Sequence, residues 1–436
     1  MFLRSDLDND GQPNENIQLG GDSPASIRTR GGFIQFDSDV FMVQPADLNT
    51  TPGNENGAIT FNGRFDGIPG TLTLAAGTAP ITFNGAVGSI APFGLTINSS
   101  GTLAFSQDVR MGGDFLFGNL TGLFDASNVK FDGRYNFTIN PINDFADGAG
   151  IKIRLGDLGQ TVPLASFTID SSIGAATALF GNISTAGGAV VFRSPVQIWD
   201  ENVAIQTTTL GNNAGAAITF ENKLEGQLQA PGNYLARGLT LSAGNSGAVT
   251  FGATVGDAKE DDPTNPLTNF LVQSAGSISL GRDSKFTIHG DLTITPRLIS
   301  RGQQADLSFT TFSLALVSGV STLGDLTLVG GVDLSGVGVL NKGGSLELRG
   351  YRNVTIGNID LVGGTPIGLQ TGPGGAGGDL DISSKTGNID FAGVNASGGD
   401  GSGTGGYGGN AGTLRVAYNP DNTLTLSAVR LNRAVS

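Results

Sequence analysis

Short runs of alternating apolar residues, separated by Gly, Asn, Pro or Ser, recur along the chain. The clearest stretch, residues 57–105, contains the runs ITF at 59–61, LTL at 72–74, ITF at 81–83, LTI at 95–97 and LAF at 103–105. Alternation bounded by turn residues is typical of β-strands. Two of these strand types recur in step, because the runs at 59, 81 and 103 are each 22 residues apart. Such a period indicates stacked supersecondary units, here one coil of a parallel β-helix per period.

The pattern predicts an all-β fold, a right-handed parallel β-helix (β-solenoid) with coils of about 22 residues and with Gly-rich and acidic loop insertions. Glycine accounts for 70 of the 436 residues and charged residues for only 14%, whereas hydrophobic residues reach 38%. A chain of this composition can bury a core, and its glycines suit a turn at every corner of a coil. No stretch of a dozen residues has the periodicity and caps of a helix.

Two regions of the chain match block by block. AITF at 58–61 recurs at 217–220, and the later matches in the same order are TLTLAAG at 71–77 with GLTLSAG at 238–244, ITFNGAVG at 81–88 with VTFGATVG at 249–256, and LTINSSGTLAF at 95–105 with FLVQSAGSISL at 270–280. The second copy carries insertions around 227–234 and 257–266, which we expect in corner loops.

One continuous solenoid is therefore predicted, in four parts. They are an acidic loop or cap at 1–32, a first cassette with connecting coils at 33–189, a second copy at 190–283, and C-terminal coils with Gly-rich insertions at 284–436. Phenylalanines between the copies are expected to face inward and stack from coil to coil. The Gly-rich stretches 363–378 and 398–412 are expected to form long mobile loops or tight glycine folds.

Composition and charge limit the classes of function that the chain is expected to have. The net charge of −14 disfavours nucleic-acid binding, which requires clustered basic residues. No apolar run is long enough for a membrane span, and the first residues contain no apolar segment typical of a signal peptide. The chain is thus expected to be either cytoplasmic or a piece of a longer protein. The absence of cysteine suits a bacterial exoprotein that crosses membranes unfolded.

The sequences AITFNG, GTLTLAAGTAPITFNGAVGS and LTINSSGTLAF resemble the strand repeats of large bacterial exoproteins related to filamentous haemagglutinin, of the two-partner-secretion or autotransporter type. GGDLDISSKTGNIDFAGVNASGGDG and GGNAGTLRVA are similar to Gly-rich repeats of cyanobacterial and planctomycete members. The resemblance covers most of residues 33–430. It implies a right-handed parallel β-helix on a cell surface, in an adhesin or extracellular fibre. The amino-terminal secretion domain of that family is not recognisable.

Candidate catalytic residues are sparse. The single histidine, His289, has no nearby Ser or Cys nucleophile and is expected at the surface or a coil edge. The single tryptophan, Trp199, is interpreted as a core or coil-edge residue, with a sugar-stacking platform as the alternative. The acidic cluster of Asp257, Glu260, Asp261 and Asp262 lies in an insertion. It is expected to be a solvated loop, or alternatively a glycan or calcium contact.

A metal site is predicted near the N-terminus. Asp6, Asp8 and Asp10 have the spacing of the first half of an EF-hand calcium loop. The twelfth position is Ile17 instead of the expected glutamate, and Glu15 lies two residues early. We predict weak calcium binding by Asp6, Asp8, Asp10 and Glu15; the alternative is a solvated acidic terminus.

The sequence thus favours a non-catalytic extracellular structural protein or adhesin, located at the cell surface. A polysaccharide-binding or polysaccharide-cleaving β-helix enzyme is the alternative. Expected partners are further copies of the chain, in a filament or surface layer, and glycans or neighbouring cell surfaces. Self-assembly is expected because neither end carries a recognisable cap, so that coils could stack head to tail. The competing interpretation is a fragment whose ends continue into further coils.

Overall fold

The computed structural model describes residues 17–141, 150–170, 176–227, 236–256, 267–280, 285–296, 324–337, 340–367, 371–403 and 406–417, together with the backbone of several short strands outside these ranges. The chain divides into an N-terminal unit, Met1–Gln197 with Ala204–Ala216, and a C-terminal unit, Ile198–Val203 with Ala217–Ser436. Both consist of β-strands; the helical structure in the described part is a single 3-10 turn, Thr209–Gly211. None of the described residues form a helix long and apolar enough to cross a membrane.

Three parallel ladders build the N-terminal unit. Ladder 1 consists of Phe2–Leu3, Ile34–Phe36, Ile59–Phe61, Ile81–Phe83, Leu103–Phe105, Phe124–Ala126, Ile151–Leu155 and Ala176–Leu179. Ladder 2 consists of Ile17–Leu19, Val40–Met42, Phe65–Gly67, Val87, the start of Val109–Leu120, Phe131–Asp132, Leu158 and Ile183–Ser184. Ladder 3 consists of Ala25–Arg28, Ala46–Asn49, Thr71–Ala75, Phe93–Ser99, the rest of Val109–Leu120, Asn136–Pro141, Ser166–Ile169 and Val190–Phe192.

Three parallel ladders also build the C-terminal unit. Ladder 4 consists of Leu224–Gly226, Val255–Gly256, Lys285–Ile288, Asp306–Thr311, Ser345–Gly350, Leu380–Ser384 and Leu414–Ala417. Ladder 5 consists of Gly238–Ser242, Asn269–Ser274, Asp291–Ile294, Leu326–Leu328, the starts of Val354–Asp360 and Ile389–Asn395, and Leu424–Leu426. Ladder 6 consists of Ile218–Phe220, Ala248–Phe251, Ser277–Leu280, Leu298–Ile299, Val332–Asp333, the ends of Val354–Asp360 and Ile389–Asn395, and Val429–Arg430.

Four strands of the described backbone are not assigned to these six ladders. Leu314–Ala315 and Ser321–Thr322 form a short antiparallel pair. Val196–Ile198 and Asn202–Gln206 each contain a unit boundary. Every ladder pairing is parallel, with register shifts at a few positions, so the predicted all-β solenoid is confirmed in both units.

Coil length varies along the chain. Ile81 pairs with Ile59 on one side and with Leu103 on the other, which confirms the predicted 22-residue spacing in ladder 1. In ladder 5 of the C-terminal unit, paired residues of neighbouring coils are between 22 positions apart, for Phe270 and Leu292, and 35 positions apart, for Val354 and Ile389. In the sequence, DLTL at 325–328 and LELR at 346–349 are 21 residues apart, which predicts a further coil of similar length. This prediction is wrong, because the two runs belong to ladders 5 and 4 and do not pair.

The matching sequence blocks have the same internal pairing. In the first copy, Ile59 pairs with Ile81 and Leu72 with Leu95. In the second copy, Ile218 pairs with Val249 and Leu239 with Phe270. The equivalent runs therefore stack on each other in both copies, and the second copy's longer coils accommodate its insertions. The predicted part boundaries stay a prediction.

Stacked phenylalanines fill the core beside ladder 1. Phe36, Phe61, Phe83 and Phe105 occupy the same register position on successive coils and are at most 5% exposed. Their ring centroids are 5.0, 4.7 and 4.9 Å apart, with planes within 8° of parallel. Such ring contacts add to the stabilisation that burial provides. The prediction for the phenylalanines between the copies is confirmed as well, for example at Phe117, Phe124 and Phe137, which are buried and in ring contact.

The Gly-rich stretches form a tight glycine fold, which is one of the two predicted alternatives. Backbone amides of Gly375, Gly399 and Gly409 donate to the carbonyl oxygens of Gly364, Gly375 and Gly399, each at 2.8 Å. These residues are outside any strand, and a Cβ atom added to Gly409 would lie 1.8 Å from Gly375 O. We call residues 363–364, 374–378, 398–399 and 409–412 the glycine bundle. Its segments approach so closely that only glycine fits between them.

A ladder of Asp and Asn side chains follows the start of ladder 5. Asp291 Oδ1 accepts the Asp325 amide at 3.0 Å, Asp325 Oδ1 accepts the Asn353 amide at 3.0 Å, and Asn353 Oδ1 accepts the Asn388 amide at 3.0 Å. Each side chain thereby satisfies a backbone donor of the next coil, just before a buried apolar residue. Buried and half-buried backbone donors need such partners at a corner where the sheet pairing ends.

Asp325 has the strongest charge partners of this ladder. Arg352 Nε donates to Asp325 Oδ1 at 2.6 Å, and Arg352 Nη2 donates to the other carboxylate oxygen. Burial alone would raise the pKa of Asp325, but the hydrogen bonds from Arg352 and Asn353 outweigh it and hold the pKa below its ordinary value. The carboxylate therefore stabilises the folded state above its unfolded-state pKa, and that stabilisation is lost as pH falls through the lowered folded-state pKa.

Replacing Asp325 by asparagine is expected to lower the free energy of unfolding of the C-terminal unit by about 1–2 kcal/mol at pH 7, since a charge-assisted pair is removed. The variant should also lose part of the wild-type decline in stability below about pH 4. Urea unfolding between pH 2.5 and 7 measures both effects. Glu347→Gln is the matched control, because the Glu347–Arg349 pair is more exposed, and it should change stability by less than about 0.5 kcal/mol. Parallel pH profiles for Asp325→Asn and wild type would contradict the assignment.

Candidate functional site

An open groove with a volume of 480 Å³ lies along ladder 2 of the N-terminal unit. It spans several successive coils and is lined by Ala86, Val87, Ser89, Gln107, Asp108, Val109, Arg110, Asp132, Thr161 and Val162. Its volume is in the range of small-molecule sites, roughly 300–1,000 Å³. We call it the ladder 2 groove.

One wall of the groove belongs to a turn that begins at Gly88. Gly88 has φ +67°, a left-handed conformation that favours glycine, and a Cβ atom there would lie 2.1 Å from Arg110 O. Asp66, from the preceding coil, holds this turn: its Oδ1 accepts the amides of Ile90 at 2.9 Å and Ala91 at 3.2 Å. The turn is therefore fixed by both its glycine and a carboxylate of the coil beneath it.

The opposite wall repeats this arrangement. Gly159 has φ +68° and begins the turn that carries Thr161 and Val162. Asp132 Oδ1 accepts the amides of Thr161 at 2.9 Å and Val162 at 3.2 Å. Both turns have the sequence Gly, three residues and Pro, one coil after the supporting aspartate. The two turns were not predicted, although this spacing is visible in the sequence.

Donors and acceptors lie between the two turns. Arg110 is exposed on its strand and forms no ion pair with any residue that the structure describes. Asp108 Oδ1 accepts the Lys130 amide at 3.0 Å, which fixes the orientation of that carboxylate. Beneath them, Val87 and Val109 are buried and pair with each other in ladder 2. The accessible apolar side chains of the groove are the half-buried Ala86 and Val162. The groove thus combines these with one guanidinium and two oriented carboxylates.

The structure does not test the predicted calcium ligands or the predicted acidic loop. Asp6, Asp8, Asp10 and Glu15 lie outside the described residues, as does the acidic cluster of residues 257–262. Within the described ranges, His, Cys, Asp and Glu form no group of three or more that could hold a metal ion. Calcium binding at the N-terminus stays a prediction.

The single histidine, His289, and the single tryptophan, Trp199, differ in their burial. His289 is only 1% exposed, so the alternative of a surface position is wrong. It follows directly on strand Lys285–Ile288, in agreement with the coil-edge alternative, and its amide donates to Leu267 O at 2.9 Å. Trp199 is half-buried directly after strand Val196–Ile198, in agreement with the coil-edge interpretation.

The C-terminal unit contains a buried arginine, Arg237, whose contacts have a structural role. Arg237 is 6% exposed, and its Nη1 donates to Ala236 O at 2.8 Å. Burial lowers the pKa of its guanidinium, and the negative charges of Asp200 and Glu201 oppose that effect. Its backbone amide also donates to Thr268 Oγ1 at 2.7 Å. The residue therefore ties neighbouring coils together.

Comparison with known proteins gives one curated relative. Over 414 residues the chain is 26% identical to Outer membrane protein B of Rickettsia rickettsii, an alignment that covers 86% of this chain and 23% of that protein. No protein-family model and no solved structure matches the chain. The chain therefore spans about a quarter of the length of the curated relative that it resembles.

Proposed function

We propose that the chain is a β-solenoid segment of a bacterial surface protein, with a non-catalytic role in adhesion or as a scaffold. The observation that carries the proposal is the combination of parallel, in-register ladders in both units with similarity to an outer membrane protein over most of the chain. The chain lies at the cell surface. A parallel solenoid suits this role because stacked coils extend binding residues over a long, rigid surface.

The parallel ladders and the similarity to Outer membrane protein B also support the resemblance to exoproteins of the autotransporter type. Its finer part, a relationship to filamentous haemagglutinin, stays a prediction. Head-to-tail assembly and weak calcium binding also stay predictions. Each has a direct measurement: electron microscopy of the purified chain for fibres, and calorimetric titration with calcium for the N-terminal aspartates.

The rival proposal is a polysaccharide-cleaving enzyme, whose acid and base would be carboxylates in a groove. Asp108 and Asp132 are the carboxylates of the ladder 2 groove, but an oxygen of each accepts backbone amides of the next coil. This use supports a structural role for both. We therefore favour binding without turnover.

Antibodies raised against the 436-residue chain are expected to label intact source cells, and external protease should remove the label. The purified chain is expected to release no reducing ends from acidic or neutral polysaccharides. Both results follow from a surface protein without a catalytic centre. A commercial pectate lyase serves as the positive control for the release assay.

Labelling only after permeabilisation would contradict the surface role. Cleavage of a polysaccharide that is lost in Asp108→Asn or Asp132→Asn would contradict the non-catalytic role. Circular dichroism of each variant shows whether the β-sheet signal persists, so that loss of folding is distinguished from loss of chemistry.

A further inference from the structure

We propose that the ladder 2 groove binds a neutral sugar unit of a glycan. The proposal rests on the surface role only for the source of the glycan, since the groove's own chemistry identifies the ligand class. A pyranose ring has hydroxyl groups that both donate and accept hydrogen bonds around an apolar ring face. A matching site needs donors, acceptors and an aliphatic floor within one small cavity.

The groove supplies each of these parts. Arg110 and Gln107 are exposed donors in its lining, while Asp108 and Asp132 are acceptors. In each carboxylate, one oxygen accepts backbone amides, and the other accepts no hydrogen bond from a described residue. The half-buried aliphatic side chains of Ala86 and Val162 line the same cavity and provide a surface for the ring face.

The charge of the groove favours a neutral ligand over a charged one. Two carboxylates and one guanidinium give the lining a net charge of −1, within a chain whose net charge is −14. A sulfated or uronic-acid sugar would be repelled by this negative potential. The single guanidinium of Arg110 neutralises only one of the two carboxylates in the lining, so it cannot also neutralise an anionic sugar. A basic peptide would be repelled by the guanidinium of Arg110 in the lining. Neither penalty applies to a neutral sugar.

The carboxylates and both walls of the groove are held in place before any ligand arrives. Asp132 is fixed by the amides of Thr161 and Val162, which also position the far wall. The near wall is fixed by Asp66 through Ile90 and Ala91. A site built on strands and locked turns loses little conformational entropy on binding. We therefore expect specific, though weak, binding to a single sugar unit, because the lining contains no aromatic residue for stacking.

Calorimetric titration of the 436-residue chain with neutral di- and trisaccharides of glucose, galactose and mannose tests the proposal. At least one should bind with a Kd at or below the millimolar range, and Arg110→Gln should weaken it at least tenfold. Arg134→Gln is the matched control, because Arg134 is an exposed arginine that does not line the groove. Gln107→Ala provides a second variant in an exposed position, and it should weaken binding by a smaller factor.

The same titration is then repeated with uronate-containing or sulfated versions of these sugars and with oligolysine. Tighter binding of any of these than of the neutral sugars would overturn the proposal. So would binding that Arg110→Gln and Gln107→Ala leave unchanged, or no binding of any neutral sugar on the panel. Surface labelling of cells does not depend on Arg110, so failure here is distinguishable from failure of the proposed function.

Discussion

Replacing Phe83 by alanine is expected to lower the free energy of unfolding of the N-terminal unit by about 3–5 kcal/mol, the range for truncating a buried phenylalanine. Phe83 is 1% exposed and has a ring on each side, Phe61 at 4.7 Å and Phe105 at 4.9 Å. Truncation removes two ring contacts and leaves a cavity between coils. Since each coil contacts only its neighbours, the cavity cannot be filled from elsewhere in the unit.

Hydrogen exchange locates the effect as well as its size. The amide of Asn84 donates to Phe61 O at 2.8 Å, and that of Ser106 donates to Phe83 O at 2.9 Å. Both amides should lose protection in Phe83→Ala, alongside a lower urea midpoint. Ile90→Ala is the control, because Ile90 is 66% exposed, and it should cost less than about 0.5 kcal/mol. A loss below 1 kcal/mol in Phe83→Ala would show that the ring stack contributes little.

The strands were predictable wherever alternation and spacing agree. The run ITF at 59–61 alternates inward and outward, and its 22-residue distance to the run at 81–83 identifies the strand it pairs with. In the C-terminal unit the same reasoning predicts the wrong neighbouring strand for Leu326. The nearest similar run contains Leu346, but Leu326 pairs with Val354, which follows it by 28 positions. Short apolar runs on different ladders look alike, so spacing alone cannot assign them once coil length changes.

The groove could not be predicted because its parts are far apart in sequence. Val87, Arg110 and Thr161 come from successive or nearby coils, and only the stacking order brings them together. The supporting carboxylates Asp66 and Asp132 stand one coil before the turns that they hold. A search for Gly-x-x-x-Pro preceded by an aspartate at the coil spacing would have found both walls. It requires the coil spacing to be known first.

The glycine bundle escaped a definite prediction for a different reason. Glycine has no side chain whose pattern could show an inward or outward face, and Gly-rich sequence is usually flexible. The bundle is instead held by backbone hydrogen bonds, such as those of Gly375 to Gly364 and of Gly399 to Gly375. These bonds offset the large conformational entropy that glycine loses on ordering.

Replacing Gly375 by alanine is therefore expected to destabilise the C-terminal unit by about 3 kcal/mol, the upper part of the range for overpacking. The added Cβ atom would lie 1.8 Å from Asn341 O and 2.4 Å from Asn341 C, so a backbone segment has to move. That movement should break the hydrogen bonds on both sides of Gly375, because its amide and carbonyl join different segments.

Hydrogen exchange of the Gly399 and Gly409 amides measures this directly, since Gly399 donates to Gly375 O and Gly409 donates to Gly399 O, each at 2.8 Å. Both should exchange faster in Gly375→Ala, whereas ladder 4 amides further away keep their protection. Gly21→Ala is the matched control: nothing lies within 4 Å of its added Cβ atom, and its φ is outside the left-handed region. If Gly375→Ala and Gly21→Ala have equal effects on stability, the close approach of backbones at Gly375 does not hold in solution. If Gly375→Ala alone speeds exchange at Gly399, the Gly-rich segments form an ordered, hydrogen-bonded part of the solenoid.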